Sequence, residues 1–156
     1  MGDIDLMTDP FVSVRNGPNF NIQEVDNLDT ICDDNHTLLQ DAIVRQPQFA
    51  AALIEAGVTI DHQDDNGQTA LHYAISRGYY DIARLLLKNG ARVDQPDKHG
   101  NEVLWTAVVQ PKPDLELIRQ IRLAGGDPQH VNLAGRSPME MAKIKNNAAM
   151  IDLLTR

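Results

Sequence analysis

The strongest constraint on this chain is its self-similarity. The segments "NHTLLQDAI" (35–43), "GQTALHYAI" (67–75), "GNEVLWTAV" (100–108) and "GRSPMEMAK" (135–143) align without gaps. Each opens on Gly or Asn and places Leu or Met four residues on and Ala seven on; the openings are 32, 33 and 35 residues apart. A second apolar series follows each block: "ALIEAG" (52–57), "RLLLKNGA" (84–91), "RQIRLAGG" (119–126) and the shorter "MIDLLTR" (150–156). Four registered copies at a period near 33 specify a repeat architecture, in which one supersecondary unit recurs and buries its apolar face against its neighbours alone.

The second copy, "NGQTALHYAISRG", contains a threonine and a histidine three residues apart, and that pair has two readings. As chemistry, a Thr–His pair needs an orienting third group and an oxyanion site, and nothing in the motif supplies them. As structure, Thr69 follows a glycine turn and caps a helix that begins there, with Leu71, Ala74 and Ile75 on one helical face. The structural reading is preferred.

The copies resemble the ankyrin repeat, whose core is T-P-L-H-x-A in a 33-residue unit of a turn and two helices. Residues 64–96 match most fully: Asp64, Gly67, Thr69, Leu71, His72, Ala74, Gly78, Leu85, Leu86, Gly90 and Ala91 stand where the family has them. The resemblance covers about 32–156 and implies an all-α solenoid of four helix-turn-helix repeats with short hairpin loops. The repeats fall at about 32–63, 64–96, 97–131 and 132–156, behind an N-terminal extension or cap over 1–31. In the family the Thr and His hold the tight turn before the first helix. Gly57, Gly90 and Gly125 then end the second helices, where a residue without Cβ adopts the left-handed conformation at least cost. Ala42, Ala74, Ala107 and Ala142 let paired helices approach, and Leu39, Leu71, Leu104 and Met139 are expected to stack as one core column.

Departures from the pattern carry their own expectations. Asn35 replaces the turn glycine of repeat one, and Asn tolerates the left-handed conformation next best. Gln40 stands there in place of His, as suits an N-terminal cap. Repeat three has Glu102 for Thr and Trp105 for His, so its turn is not tied in the same way; it also inserts two residues at "QPKPD", lengthening the loop between its helices. Gln120, where a buried Leu is usual, is expected to weaken that helix locally. Repeat four ends at "LLTR" with no following hairpin, as a C-terminal cap does. In the N-terminal segment, 1–10 read as frayed, "RNGPN" as a turn and "FNIQEVDNLDT" as part of an extra hairpin.

Composition narrows the function. No apolar stretch is long enough to span a membrane, the acidic start lacks a secretory signal, and Leu6 stands where a myristoylation signal needs Ser or Thr. One cysteine, Cys32, excludes an internal disulfide and fits a reducing, cytoplasmic setting; the "NHT" sequon at Asn35 then reads as chance. The net charge of −8 is uneven: residues 1–65 carry thirteen acids against Arg15 and Arg45, whereas residues 66–156 carry nine acids against twelve Lys and Arg. That balance argues against nucleic acid as the partner and for a protein with a basic surface. None of the five histidines (36, 62, 72, 99, 130) pairs at i,i+4, and Cys32 has no thiol partner, so no metal or cofactor is expected. The paired acids at 33–34 and 64–65 read as exposed hairpin tips rather than a catalytic pair, and the chain does not read as an enzyme.

By resemblance, contacts with a partner come from the hairpin tips and the inner face of the first helices. The tips supply Asp33, Asp34 and His36; Gln63, Asp64, Asp65, Asn66 and Gln68; Pro96, Lys98, His99 and Asn101; and Val131, Leu133 and Arg136. The first helices supply Val44, Arg45, Ser76, Arg77, Val109 and Gln110, with Tyr79, Tyr80 and Trp105 as aromatics near that groove; Tyr73 and Trp105 also read as partial core. A short array of this kind, monomeric on its own, is read as an inhibitor of its partner. The loose repeats are similar to those of bacterial ankyrin proteins, some of which act as immunity proteins against basic toxins such as nucleases. The alternatives are a regulator similar to the small four-repeat inhibitors of cyclin-dependent kinases, or a scaffold without inhibition.

Overall fold

The apolar periodicity dictates paired amphipathic helices, and the computed structural model describes residues 9–16 and 20–156 in that form. Of the N-terminal expectations, fraying over 1–10 and a turn over 15–19 lie largely outside the described residues; where those residues are described the expectation fails, since Pro10 opens α1 and Arg15 and Asn16 close it. Among the described residues, nine α-helices follow one another: α1 (Pro10–Asn16), α2 (Leu38–Arg45), α3 (Ala50–Glu55), α4 (Ala70–Ser76), α5 (Tyr80–Lys88), α6 (Val103–Val109), α7 (Leu115–Leu123), α8 (Pro138–Ile144) and α9 (Ala148–Thr155). Strand-like pairing there is limited to one isolated bridge between Ile31 and Thr37.

The helices form two layers. First helices α2, α4, α6 and α8 stack in order, second helices α3, α5, α7 and α9 stack beside them, and each first helix packs on its own second helix. Leu39, Leu71, Leu104 and Met139 form the expected column through the first layer, all buried. Leu53, Leu86, Ile121 and Leu154 form its counterpart in the second layer, equally buried. Each such side chain removed from water stabilises by roughly 1.5–3 kcal/mol. The small residues Ala42, Ala74, Ala107 and Ala142 are buried where the layers meet.

The insertion in repeat three is accommodated as expected: α6 and α7 are separated by 110–114, whereas α4 and α5 are separated by 77–79. Gln120 does not weaken α7. The helix runs unbroken from Leu115 to Leu123, because Leu117, Ile118 and Ile121 hold it to the core while Gln120 lies half-buried and donates to Glu116. The extra hairpin expected at 20–30 is absent; that stretch holds a single 3₁₀ turn, Ile22–Glu24, capped by Asn21. Ahead of it, α1 packs on α2 through buried Phe11 and Val14, in the stacking position a first helix would take. Arg15 of α1 reaches the buried Asp41 carboxylate with Nε at 3.1 Å, and Arg45 Nε approaches the other oxygen at 3.1 Å, so the carboxylate is compensated on both sides.

Candidate protein-interaction surface

Each repeat begins with a tight hairpin, and the four hairpins are built alike. The amides of Cys32, Asp64, Asp97 and Asn132 donate to the carbonyls of His36, Gln68, Asn101 and Arg136 at 2.9–3.1 Å. The reversal passes through positive φ at Asn35 (56°), Gly67 (71°), Gly100 (77°) and Gly135 (73°), the region open to Gly and next to Asn. In repeats two to four a side-chain oxygen locks the turn. Asp64 Oδ1 accepts the Asn66 and Gln68 amides, Asp97 Oδ1 those of His99 and Asn101, and Asn132 Oδ1 those of Ala134 and Arg136, all at 2.8–3.0 Å.

The Thr–His pair is a cap and a tie. The Thr69 amide donates to His72 Nδ1 at 3.2 Å and the His72 amide donates to Thr69 Oγ1 at 3.4 Å. Because Nδ1 accepts a backbone N–H, the proton of the neutral ring sits on Nε2, which donates to the Asn101 carbonyl of the next repeat at 3.1 Å. Burial pushes the His72 pKa below its ordinary value and keeps the ring neutral. Gln40 is a functional equivalent in repeat one: its Oε1 accepts the Thr37 amide at 2.8 Å, and its Nε2 donates to the Gln68 carbonyl, also at 2.8 Å. Repeat four uses a Ser137–Glu140 capping box. Repeat three has none, since Glu102 makes no side-chain cap. Burial raises the Glu102 pKa, opposed by the charge of His130, whose Nδ1 lies 3.2 Å from Oε1.

The tips are joined into one strip. Lys98 donates through its amide to the Asn66 carbonyl at 2.8 Å, and Leu133 likewise to the His99 carbonyl at 2.9 Å. Between repeats one and two, Asn35 Nδ2 donates to Asp65 Oδ1 at 3.0 Å. His62 and His130 occupy equivalent places and bring Nε2 to the carbonyls of Asn35 and Gly100 at 2.8 and 2.9 Å. They are inter-repeat ties, a role that sequence reasoning missed although the two recur at one repeat position.

The expected contact residues divide accordingly. Asp33, Asp34, Asp65, Lys98 and His99 are exposed on the tips, with His36, Asn66 and Gln68 half-buried beside them. Asp64 is a correction: it is only 5% exposed. Besides the two amides, its Oδ2 accepts Tyr73 Oη at 2.6 Å and lies 3.2 Å from His36 Nε2. Burial, and then that bond to Asp64, raise the Tyr73 phenol pKa. Asn101 is likewise engaged, donating to Asp97 and accepting from Asn132. Along the first helices Val44 is half-buried, while Arg45, Ser76 and Arg77 are exposed. Tyr79 and Tyr80 are half-buried. They stand beyond the far end of α4, about 10 Å from the tips by helix rise, and Tyr80 Oη donates to the Lys112 carbonyl at 3.1 Å. Tyr80 thereby ties to the lengthened loop of repeat three, and Tyr79 packs against the core. Trp105 is half-buried on α6.

The geometry thus gives a pre-organised row of turns on a helical frame whose buried polar groups are committed to holding that row. Comparison with known proteins agrees on its family: residues 12–97 match the model "Ankyrin repeats (3 copies)". The chain belongs to the ankyrin-repeat family. The ankyrin match begins inside α1, which extends it ahead of the resemblance read from the sequence. The chain is 36% identical over 102 residues to the potassium channel AKT2/3 of Arabidopsis thaliana, covering 65% of this chain and 12% of the channel. It is 31% identical over 106 residues to a putative ankyrin repeat protein of Rickettsia felis, covering 67% of this chain and 35% of that protein. It is 30% identical over 110 residues to human ankyrin repeat domain-containing protein 63, covering 69% and 29%. The matched stretch is therefore about a tenth to a third of these relatives. Ankyrin repeats are a protein-interaction fold. Among the described residues no helix is long and apolar enough to cross a membrane, and no three of His, Cys, Asp and Glu gather where a metal ion fits.

Proposed function

We propose that this chain binds a protein with a basic surface and inhibits it, in the manner of an immunity protein that neutralises a basic toxin such as a nuclease. The observation that carries this reading is the tip chemistry of repeats one and two: Asp33, Asp34 and Asp65 are exposed on tips joined by the Asn35–Asp65 hydrogen bond, and none of the three has a salt-bridge partner among the described residues. The chain acts in the cytoplasm as a monomer, with residues 1–31 as an N-terminal extension or cap. It binds neither nucleic acid nor membrane and turns nothing over, since its polar constellations are consumed by structure. A photo-cross-linking residue at position 65 of the full chain, with one at exposed Lys88 on α5 as control, tests this in cells of the source organism. A basic protein cross-linked from position 65 alone, and losing its activity at one equivalent of the chain, is expected.

A second reading is favoured by one observation: in all three relatives the matched stretch is a minor part of a longer protein. Such an array serves as an adaptor. A captured partner whose activity is unchanged when saturated selects that reading.

A further inference from the structure

Position by position, the four tips present different chemistry on the same backbone. At the outermost position stand Asp33, Asp65, Lys98 and Leu133, all exposed. The fold itself asks for nothing apolar there, since two repeats place a carboxylate and a third an ammonium at the equivalent site. Yet Leu133 is 81% exposed and Val131, on the same tip, is 59% exposed. A lone exposed leucine is ordinary; two apolar side chains on one tip, at the end of a charged row, form a small anchor surface. The row is also stiff. Its tips share backbone hydrogen bonds at 2.8–2.9 Å from repeat two to repeat four, so little ordering is lost when something lies along it.

The spacing sets a length. Stacked helices lie about 8–10 Å apart, so successive tips are separated by that distance, close to three residues of extended chain at roughly 3.3 Å each. Resting on the reading that the tips are the partner surface, we infer that the strip takes one extended partner segment with an ordered code at three-residue intervals. Basic residues face the first and second tips, an acidic residue faces Lys98, and an apolar residue seats on Val131 and Leu133. Opposite charge at three successive tips fixes the register, and the apolar contact at the fourth sets how long the segment stays.

The test is selection of random 16-residue peptides displayed on phage against the immobilised full chain, followed by affinity measurements on the enriched peptides. Enrichment of the order basic, basic, acidic, apolar at intervals of three, in either chain direction, is expected. Leu133→Asp should weaken those peptides by about tenfold or more, the scale of losing an apolar anchor. Lys98→Glu should reverse the preference at the third place, so that peptides carrying Lys there bind the variant better than the wild type. Every position altered is exposed, and an unchanged melt shows that the variants fold. Peptides without the order, or no enrichment, overturn the inference. Disordered peptides that still lose binding on the tip variants leave the tip surface standing and sink the code alone. Peptides indifferent to all tip variants sink both.

Discussion

His72 shows how one residue type is spent on structure rather than chemistry. Its ring accepts at Nδ1 from the turn and donates at Nε2 to the next repeat. Protonation at Nδ1 would place a second donor against the Thr69 amide. The folded pKa is depressed, so the contribution of this group is fully present above its unfolded pKa, about 6.5, and is lost as pH falls through the lower folded value. Gln40 already performs the same two tasks in repeat one without a titrating group. Accordingly, melts of His72→Gln should lie near wild type at pH 7.5 and fall less on acidification to pH 5. His72→Ala, which orphans buried partners, should lose about 1–3 kcal/mol at pH 7.5 and less relative to wild type at pH 5, where the wild type has itself lost part of this tie. Equal acid sensitivity in wild type and His72→Gln would show that the ring is not held neutral by this tie. The role of His72 was legible in the sequence because Thr69 follows a glycine turn as a helix cap does, and because the block resembles the ankyrin core T-P-L-H-x-A. The burial of Asp64 was not: two adjacent aspartates look alike in a sequence, while the hairpin turns one into its own amides and leaves the other in water.

At the level of elements, length and period were readable and local satisfaction was less so. The five-residue connection of repeat three followed from counting residues. The Ser137–Glu140 box stands in the sequence as S-P-M-E, a different residue pair making the same cap that T-x-x-H makes in repeat two. Helix α1 gave little signal: with seven residues it holds two buried apolar side chains, Phe11 and Val14, too few for a period. Helix α6 starts uncapped, with a buried carboxylate at the cap position that does not cap. Its raised pKa means that ionisation of Glu102 opposes folding progressively as pH rises above about 4.5, the ordinary glutamate value. Glu102→Thr supplies an oxygen for the Trp105 amide and removes that carboxylate. We expect a gain of about 0.5–2 kcal/mol at pH 7 by thermal or denaturant unfolding. A loss would mean that the contact of Glu102 with His130 outweighs both effects.

Across the whole molecule, the frame and the surface are separable. Helix stacking, caps and ties consume the buried polar residues, and the tips are left to carry identity. Charge distribution was legible from the sequence as an acidic N-terminal half, but only the fold selects Asp33, Asp34 and Asp65 as the members that face outward together. Exposed charges of this kind act mainly on encounter and are screened over about 8 Å at physiological ionic strength. Each contributes only about 0.2–1 kcal/mol alone. The most direct measurement is stopped-flow association of the cross-linked partner with wild type and with the Asp33→Asn, Asp34→Asn, Asp65→Asn triple variant, across a salt series from 20 mM to 1 M. The account predicts a markedly slower on-rate for the variant at low salt, converging with wild type near molar salt, while dissociation rates stay close throughout. Identical on-rates at low salt would contradict it, leaving the acidic tips as solvated surface and removing the case for a basic partner.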